Sequence, residues 1–293
     1  MYKLIIIINK IFGYLFFKNY NIFTYNFFDL ILQKKNSKKI KCNFVKNFVN
    51  DGYQVLDTNY SEFVKKINSE IKSQDIKINK NMFSKFDINN NLKEIIKDFV
   101  NNQIITYLEK IKKYFNSDIY VTNINLRRNF YSPQAKENEL YNNFYHNDSY
   151  VYTHFKLFVN LMDMDEDYGP THIFTKKETK EVIGNAKNYK RNNFIENINS
   201  KIKPYKHIGP KGKSCFCFTS QCLHKAGIPT KDKYRDYLII TFVAYPNNKN
   251  KNMFCYEDNF NDDIWNGDTN KLTTSLAKPY TIKELFNLYK NFN

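Results

Sequence analysis

The sequence predicts a mainly β protein, an antiparallel sandwich or barrel with flanking helices. From Ile119 to Tyr245 the chain breaks into short β-branched or aromatic runs with no helical crossover pattern between them. Residues 43–115 instead carry apolar residues at helical spacing. The whole chain of 293 residues is 42% hydrophobic and 17% aromatic with only 8 Gly and 7 Pro, which suits one large buried core and neither a disordered nor a fibrous class.

We divide the chain into an N-terminal extension (1–42), one domain (43–250) and a C-terminal extension (251–293). In the first extension the apolar run Leu4 to Ile8 is interrupted by Asn9 and Lys10 before Ile11 to Phe17 resumes it, too short and polar for a transmembrane helix. No small-residue cleavage site follows, so a signal peptide is not expected. The aromatic, basic residues 1–20 suit at most a membrane-surface contact, and otherwise pack on the domain.

Within the domain, Phe44, Val45, Phe48 and Val49 predict a helix over Asn43 to Asn50, with Gly52 as its left-handed cap and a short strand at Gln54 to Leu56. Helices follow at Ser61 to Lys72 and Leu92 to Phe115. The second places Leu92, Ile95, Ile96, Phe99 and Val100 on one face, with Asn91 and Glu94 as its start signal. Strands are expected at Ile119 to Asn129, Phe155 to Leu161, Ser214 to Phe218 and Tyr237 to Tyr245, with a loop at Asp163 to Pro170. Near the end, Thr281 with Glu284 fits a capping box, and Ile282, Leu285, Phe286 and Tyr289 form the stripe of a terminal helix docked on the domain.

A net charge of +16 raises the question of a polyanionic partner. The lysines are spread along the chain among Asn and Ile, without an Arg-rich stretch or an RNA-binding aromatic motif, so no nucleic-acid partner is expected. An anionic small molecule remains compatible with the charge. Five cysteines, an odd count in a chain too long to need disulfide staples, indicate a reducing, cytoplasmic setting.

Five histidines, His146, His154, His172, His207 and His224, allow every metal site to be enumerated. One His-x-Asp exists, His146-Asn147-Asp148, and on an extended segment that spacing points both side chains to one face. Two imidazoles and one carboxylate on an octahedral ion mark non-haem iron(II) oxygenases, with open positions for a chelating keto acid and dioxygen. His224, at the end of the run Ser214 to Gly227, is the third candidate ligand. Arg235 comes just before the strand Tyr237 to Tyr245, where its guanidinium fork suits the distal carboxylate of 2-oxoglutarate. His154, His172 and His207 read as structural or surface residues, with His154 or His172 the candidates for a substrate contact at a pocket rim, and Trp265 reads as a packing residue. The competing reading is structural zinc on Cys215, Cys217, Cys222 and His224. Its spacing lacks the two-residue knuckle gap, and Cys215 and Cys217 also read as buried small residues of an apolar strand.

With these residues the chain resembles the phytanoyl-CoA dioxygenase family of iron and 2-oxoglutarate oxygenases over about residues 43 to 246. Phe48-Val49-Asn50-Asp51-Gly52-Tyr53-Gln54-Val55-Leu56 looks like the family's opening, and His146-Asn147-Asp148 matches its metal motif. Phe158 to Pro170 is similar to its strand and acidic loop, and His224-Lys225-Ala226-Gly227 with Arg235 matches its distal histidine and 2-oxoglutarate arginine. The resemblance implies a double-stranded β-helix, the jelly-roll or cupin-like core, with iron at one open end. It also implies Tyr131 as a second 2-oxoglutarate contact, a small-molecule or acyl substrate, and ascorbate as an accessory reductant. Halogenating relatives lack the carboxylate that Asp148 supplies, so the implied reaction is hydroxylation coupled to decarboxylation of 2-oxoglutarate to succinate. The alternative within the family is an inactive member serving as a binding module. One departure is plain: where the family has a Pro-Gly-Ser-His-like turn, this chain has Thr175-Lys176-Lys177-Glu178-Thr179-Lys180.

Overall fold

Apolar residues at helical spacing build the first part of the molecule. The computed structural model describes residues 42–115, 118–148, 154–185 and 202–245, together with Trp265. Helix α1 (Asn43–Asp51) buries Val45, Phe48 and Val49 and ends at Gly52, whose φ of 86° is left-handed and whose N–H donates to Phe48 O at 3.0 Å. A Cβ at Gly52 would also collide with the Cys222 and Lys176 side chains, so glycine is needed twice over. After β1 (Tyr53–Val55), helix α2 (Ser61–Ile71) buries Phe63, Val64, Ile67 and Ile71.

The helix expected over 92–115 is three pieces: α3 (Asn90–Asp98), a π turn (Phe99–Gln103) and α4 (Ile105–Phe115). Among its fully buried residues, Leu92, Ile96, Val100, Ile104 and Leu108 recur every four positions, a longer period than an α-helix repeats. The π turn absorbs the slip and keeps all of them on the core. The N-cap is Asn89, whose side chain accepts from the Leu92 N–H at 2.9 Å, and not the expected Asn91.

Among the described residues all strand pairs are antiparallel. The large sheet has the order β1-β7-β4-β9-β3-β2, from β1, β2 (Phe83–Lys85), β3 (Asp118–Phe130), β4 (His154–Asn160), β7 (Ser214–Cys217) and β9 (Tyr234–Tyr245). The small sheet is β6 (Tyr205–Lys206), β5 (Thr171–Ile173) and β8 (His224–Ala226). One face of the large sheet packs on the helices, with Phe155, Leu157, Phe216, Leu238, Ile240 and Phe242 in one core with Phe48, Phe63 and Phe99. Phe48 stacks on Phe218 at 4.0 Å between ring centroids. The opposite face meets the small sheet: Phe158 and Cys215 pack with Ile173 in a second cluster. The molecule is therefore mainly antiparallel sheet with flanking helices, and the two sheets face each other.

Several elements differ from expectation. β9 begins at Tyr234, so Arg235 lies inside the strand and pairs with Asn129. Short β2, β5 and β6 were not anticipated, since runs of two or three residues carry no periodicity. Thr175 to Lys180, read as a departure from the family turn, opens helix α5 (Lys176–Asn185). The signal was present as a capping box: Glu178 Oε2 accepts from the Thr175 N–H at 2.7 Å and Thr175 Oγ1 from the Glu178 N–H at 3.1 Å. Trp265 is buried in the main core, as a packing residue should be. The expected terminal helix at 281–289 and the extension 1–41 lie outside the described residues. Among the described residues no helix is long and apolar enough to cross a membrane.

Candidate metal centre

Two backbone hydrogen bonds bring the distant ligand candidates together. The His146 N–H donates to His224 O at 3.0 Å and the His224 N–H to His146 O at 2.9 Å, an isolated antiparallel bridge at the edge of the small sheet. Asp148 is tied to the turn that follows β7 by its N–H on Thr219 O at 2.8 Å. One ligand atom from each of His146, Asp148 and His224 then lies within 4.8 Å of the other two, and this is the group of convergent His, Cys, Asp or Glu atoms found among the described residues. All three are buried to 9% exposure or less.

The tautomers follow from the hydrogen bonds. His146 Nδ1 is 2.8 Å from Phe144 O, and His224 Nδ1 is 3.0 Å from Cys222 O. A carbonyl oxygen only accepts, so each Nδ1 carries a proton, and in the neutral ring Nε2 is the atom with the lone pair. Those Nε2 atoms stand 3.8 Å from Asp148, His146 facing Oδ1 and His224 facing Oδ2. The donor set is two imidazole nitrogens and a carboxylate, which suits a ferrous ion.

Electrostatics keep that set in its ligating form. Burial pushes the Asp148 carboxyl up, but Lys156, then His224, His154 and His146, overcome it and hold it well below the usual carboxylate range. Burial, then the neighbouring His146, drives His224 well below the usual imidazole value despite the pull of Asp148. Lys156 was missed as a site residue, and His154 was named only as a candidate substrate contact at a pocket rim. On β4, Lys156 Nζ is 2.7 Å from Asp148 Oδ2. His154 is 3% exposed with Nδ1 3.7 Å from the same oxygen and 3.1 Å from Thr219 Oγ1. Burial lowers its pKa to about 4, against the pull of Asp148 and with Lys156 adding to the shift. The available signal was the alternation His154-Phe155-Lys156-Leu157-Phe158, which places polar residues on one face of an otherwise apolar strand.

Arg235 is buried on the inner side of β9. Its Nη1 donates to Gly169 O at 2.8 Å and its guanidinium lies 4.3 Å from the Tyr237 ring centre, while Nε has no hydrogen-bond partner. Close by are two more buried polar atoms without partners: Asn129 Nδ2, across the strand pair, and the Tyr141 hydroxyl, whose pKa burial pushes up to about 12 against the opposing charge of Arg235. Such orphaned donors mark a place for an acceptor-rich group. Gly169 is itself fixed, because it has φ 69° and a Cβ there would meet the backbone of Gly227, Ile228 and Pro229 at 2.6–2.8 Å. The Gly169-Pro170 loop thus crosses the loop after His224 at backbone contact and holds Arg235 from one side. Tyr131 is half-buried just past β3. Tyr141, not singled out in the sequence, lies close enough to Arg235 to feel its charge.

The cysteines do not compete for the metal. Cys215, Cys217 and Cys222 are buried free thiols, and their sulfurs are not in the convergent group with His224. Their pairing with apolar Phe158 and Ile173 is the packing role weighed above. His207 is buried, with Nδ1 3.1 Å from Tyr205 Oη, and burial lowers its pKa to about 3. His172 is half-buried, with Nδ1 3.1 Å from Tyr145 Oη.

No family model matches the chain, and no curated protein matches it. Solved structures do. HygX from Streptomyces hygroscopicus with nickel and 2-oxoglutarate bound is similar over 71% of this chain and 89% of its own, at 8% identity and a TM-score of 0.50. The non-heme alpha ketoglutarate dependent epimerase SnoN from nogalamycin biosynthesis is similar over 69% of this chain and 79% of its own, at 11% identity and a TM-score of 0.47. EctD from S. alaskensis, with 2-oxoglutarate and 5-hydroxyectoine, is similar over 70% of this chain and 76% of its own, at 13% identity and a TM-score of 0.46. At such identities the likeness to HygX is one of fold. Fold and site together define a class: a two-sheet antiparallel protein with a buried cluster of two histidines and one aspartate between its sheets.

Proposed function

We propose that this protein is an iron(II) and 2-oxoglutarate-dependent oxygenase of jelly-roll fold, resembling phytanoyl-CoA dioxygenases, that hydroxylates a small molecule. The observation that carries it is the pair of imidazoles with Nδ1 committed to carbonyls and Nε2 turned with Asp148 toward one point. The orphaned donors at Arg235, Asn129 and Tyr141 fit the second component, since a carboxylate supplies the acceptors they lack. The 2-oxoglutarate bound in HygX agrees with that assignment.

When bound, iron with 2-oxoglutarate supplies the activation of dioxygen and the decarboxylation to succinate. The chain's own residues do the rest. His146 and His224 offer neutral nitrogen, and Asp148 offers the charge that keeps a dication in a buried place. Arg235, held by Gly169 and Tyr237, presents its free Nε edge to the distal carboxylate of 2-oxoglutarate. Phe158 and Ile239, inward-facing on neighbouring strands, keep water from the space between.

Anaerobic titration of the purified protein with iron(II) and 2-oxoglutarate tests the assignment, since the chelate gives a weak visible charge-transfer band. The band is expected in the native protein and absent from His146→Ala. Aerobic succinate formation with iron(II) and ascorbate should be lost in the same variant. An unchanged succinate yield in His146→Ala would reject the function.

A further inference from the structure

Lys156 is more than the proposed cofactors need. It sits mid-strand in β4, opposite Cys217 on one side and Thr241 on the other, and points between the sheets toward the ligand cluster. Its side chain is 16% exposed. Although Nζ is 2.7 Å from Asp148 Oδ2, that oxygen has no hydrogen-bond partner, so the contact is a charge contact with poorly directed donors. A buried ammonium with undirected N–H groups is costly unless something else completes its shell.

The charge inventory says what completes it. Under the proposed function, on which this inference rests, a ferrous ion and the dianion of 2-oxoglutarate cancel each other. Asp148 then balances one of the two cations that share the space, Lys156 and Arg235, and one positive charge is left over. Arg235 is distant from the ligands along the strand, at the Asn129 pair, whereas Lys156 is beside them. The surplus is therefore located next to the metal ligands, where a substrate would be presented.

We infer that Lys156 is a specificity residue that binds an anionic group, carboxylate or phosphate, of the substrate. A lysine suits this task because its ammonium is a point charge with three rotatable donors and accepts either anion without a fixed fork geometry. A substrate that is neutral near its reacting carbon would leave the lysine's charge unanswered. Selection is then by the unpaired charge left with the wrong molecule, a stronger discrimination than an apolar wall provides.

The test uses protein loaded with cobalt(II) and 2-oxoglutarate, in place of turnover. Calorimetry and the cobalt visible spectrum are followed on adding straight-chain carboxylates and alkyl phosphates, each beside its neutral counterpart, the primary amide or the alcohol. At least one anion should bind about tenfold or more tightly than its neutral match, as loss of one partner of a desolvated charge pair entails. Lys156→Met should bring that ratio to within roughly twofold, and Lys156→Arg, which keeps the charge and reports on folding, should restore most of it. The inference is overturned if neutral compounds bind as well as anions, if no anion binds, or if Lys156→Met keeps the preference. It is equally overturned if Lys156→Met weakens 2-oxoglutarate by the same factor as the anions, because the lysine then serves the co-substrate. Failure of the native protein to take up cobalt(II) and 2-oxoglutarate at all would instead sink the oxygenase function.

Discussion

On β4 the side chains of Phe155, Leu157 and Val159 enter the helix-covered core, while His154, Lys156 and Phe158 turn toward the small sheet. Neighbouring residues of one strand thus live in opposite regimes. The helix side is aromatic and tightly packed, with Phe155 stacked on Phe242 at 5.2 Å. The inner side holds charges and orphaned polar atoms at Asn129, Tyr141, Asp148 and Arg235. The difference teaches that the packed face carries stability, while under the proposed function the unpaired polar atoms of the other face are tolerated because a ligand pairs them.

That division can be broken or sharpened by experiment. The largest effect is expected from His224→Ala, which should abolish measurable iron(II) binding while thermal unfolding of the metal-free protein changes little. A collapse of the metal-free fold would show that the inner face also carries stability. On the other face, Phe48→Ala should cost about 3–5 kcal/mol by leaving a cavity among stacked rings, read as a lower denaturant midpoint with the slope unchanged. Iron affinity of the surviving folded fraction should persist.

Smaller effects follow. Arg235→Lys keeps the charge but loses the fork, and should raise the dissociation constant for 2-oxoglutarate by roughly tenfold with iron binding retained. Equal affinity in the variant would remove Arg235 from the co-substrate's carboxylate. Asn89→Ala removes the cap of α3 and should cost about 1 kcal/mol in unfolding, with no effect on either ligand.

The smallest is a pH effect at His207, whose pKa burial lowers from 6.5 to about 3. Below 6.5 the unfolded chain takes up a proton that the folded chain refuses, so this group's stability contribution is complete above 6.5 and is lost as pH falls toward 3. The melting temperature should fall from pH 7.5 to pH 5, and more steeply for the native protein than for His207→Gln. Identical slopes would mean that His207 does not stay neutral in the fold.

Much of the architecture was legible in the residues. Gly52 stops α1 because the sequence puts glycine where φ must be positive, and β3, β4, β7 and β9 come from β-branched and aromatic runs. The extent of β9 was not, since Tyr234, Arg235 and Asp236 look like loop in sequence and become strand only by pairing with Phe130, Asn129 and Arg128. The Arg128–Asp236 ion pair across those strands, with donor–acceptor distances of 2.7 Å, helps fix that register.

The sequence by itself determined which residues could ligate a metal, with five histidines and one His-x-Asp to choose from. That knowledge is chemical, and it is carried by residue type and period. Only the tertiary structure decided that the bridge between His146 and His224 closes the site, that carbonyls fix both tautomers, and that His154 and Lys156 face inward beside Asp148. Period two says that alternate residues share a face, but which face is enclosed depends on strand pairing between segments far apart in the chain, and no local pattern encodes it.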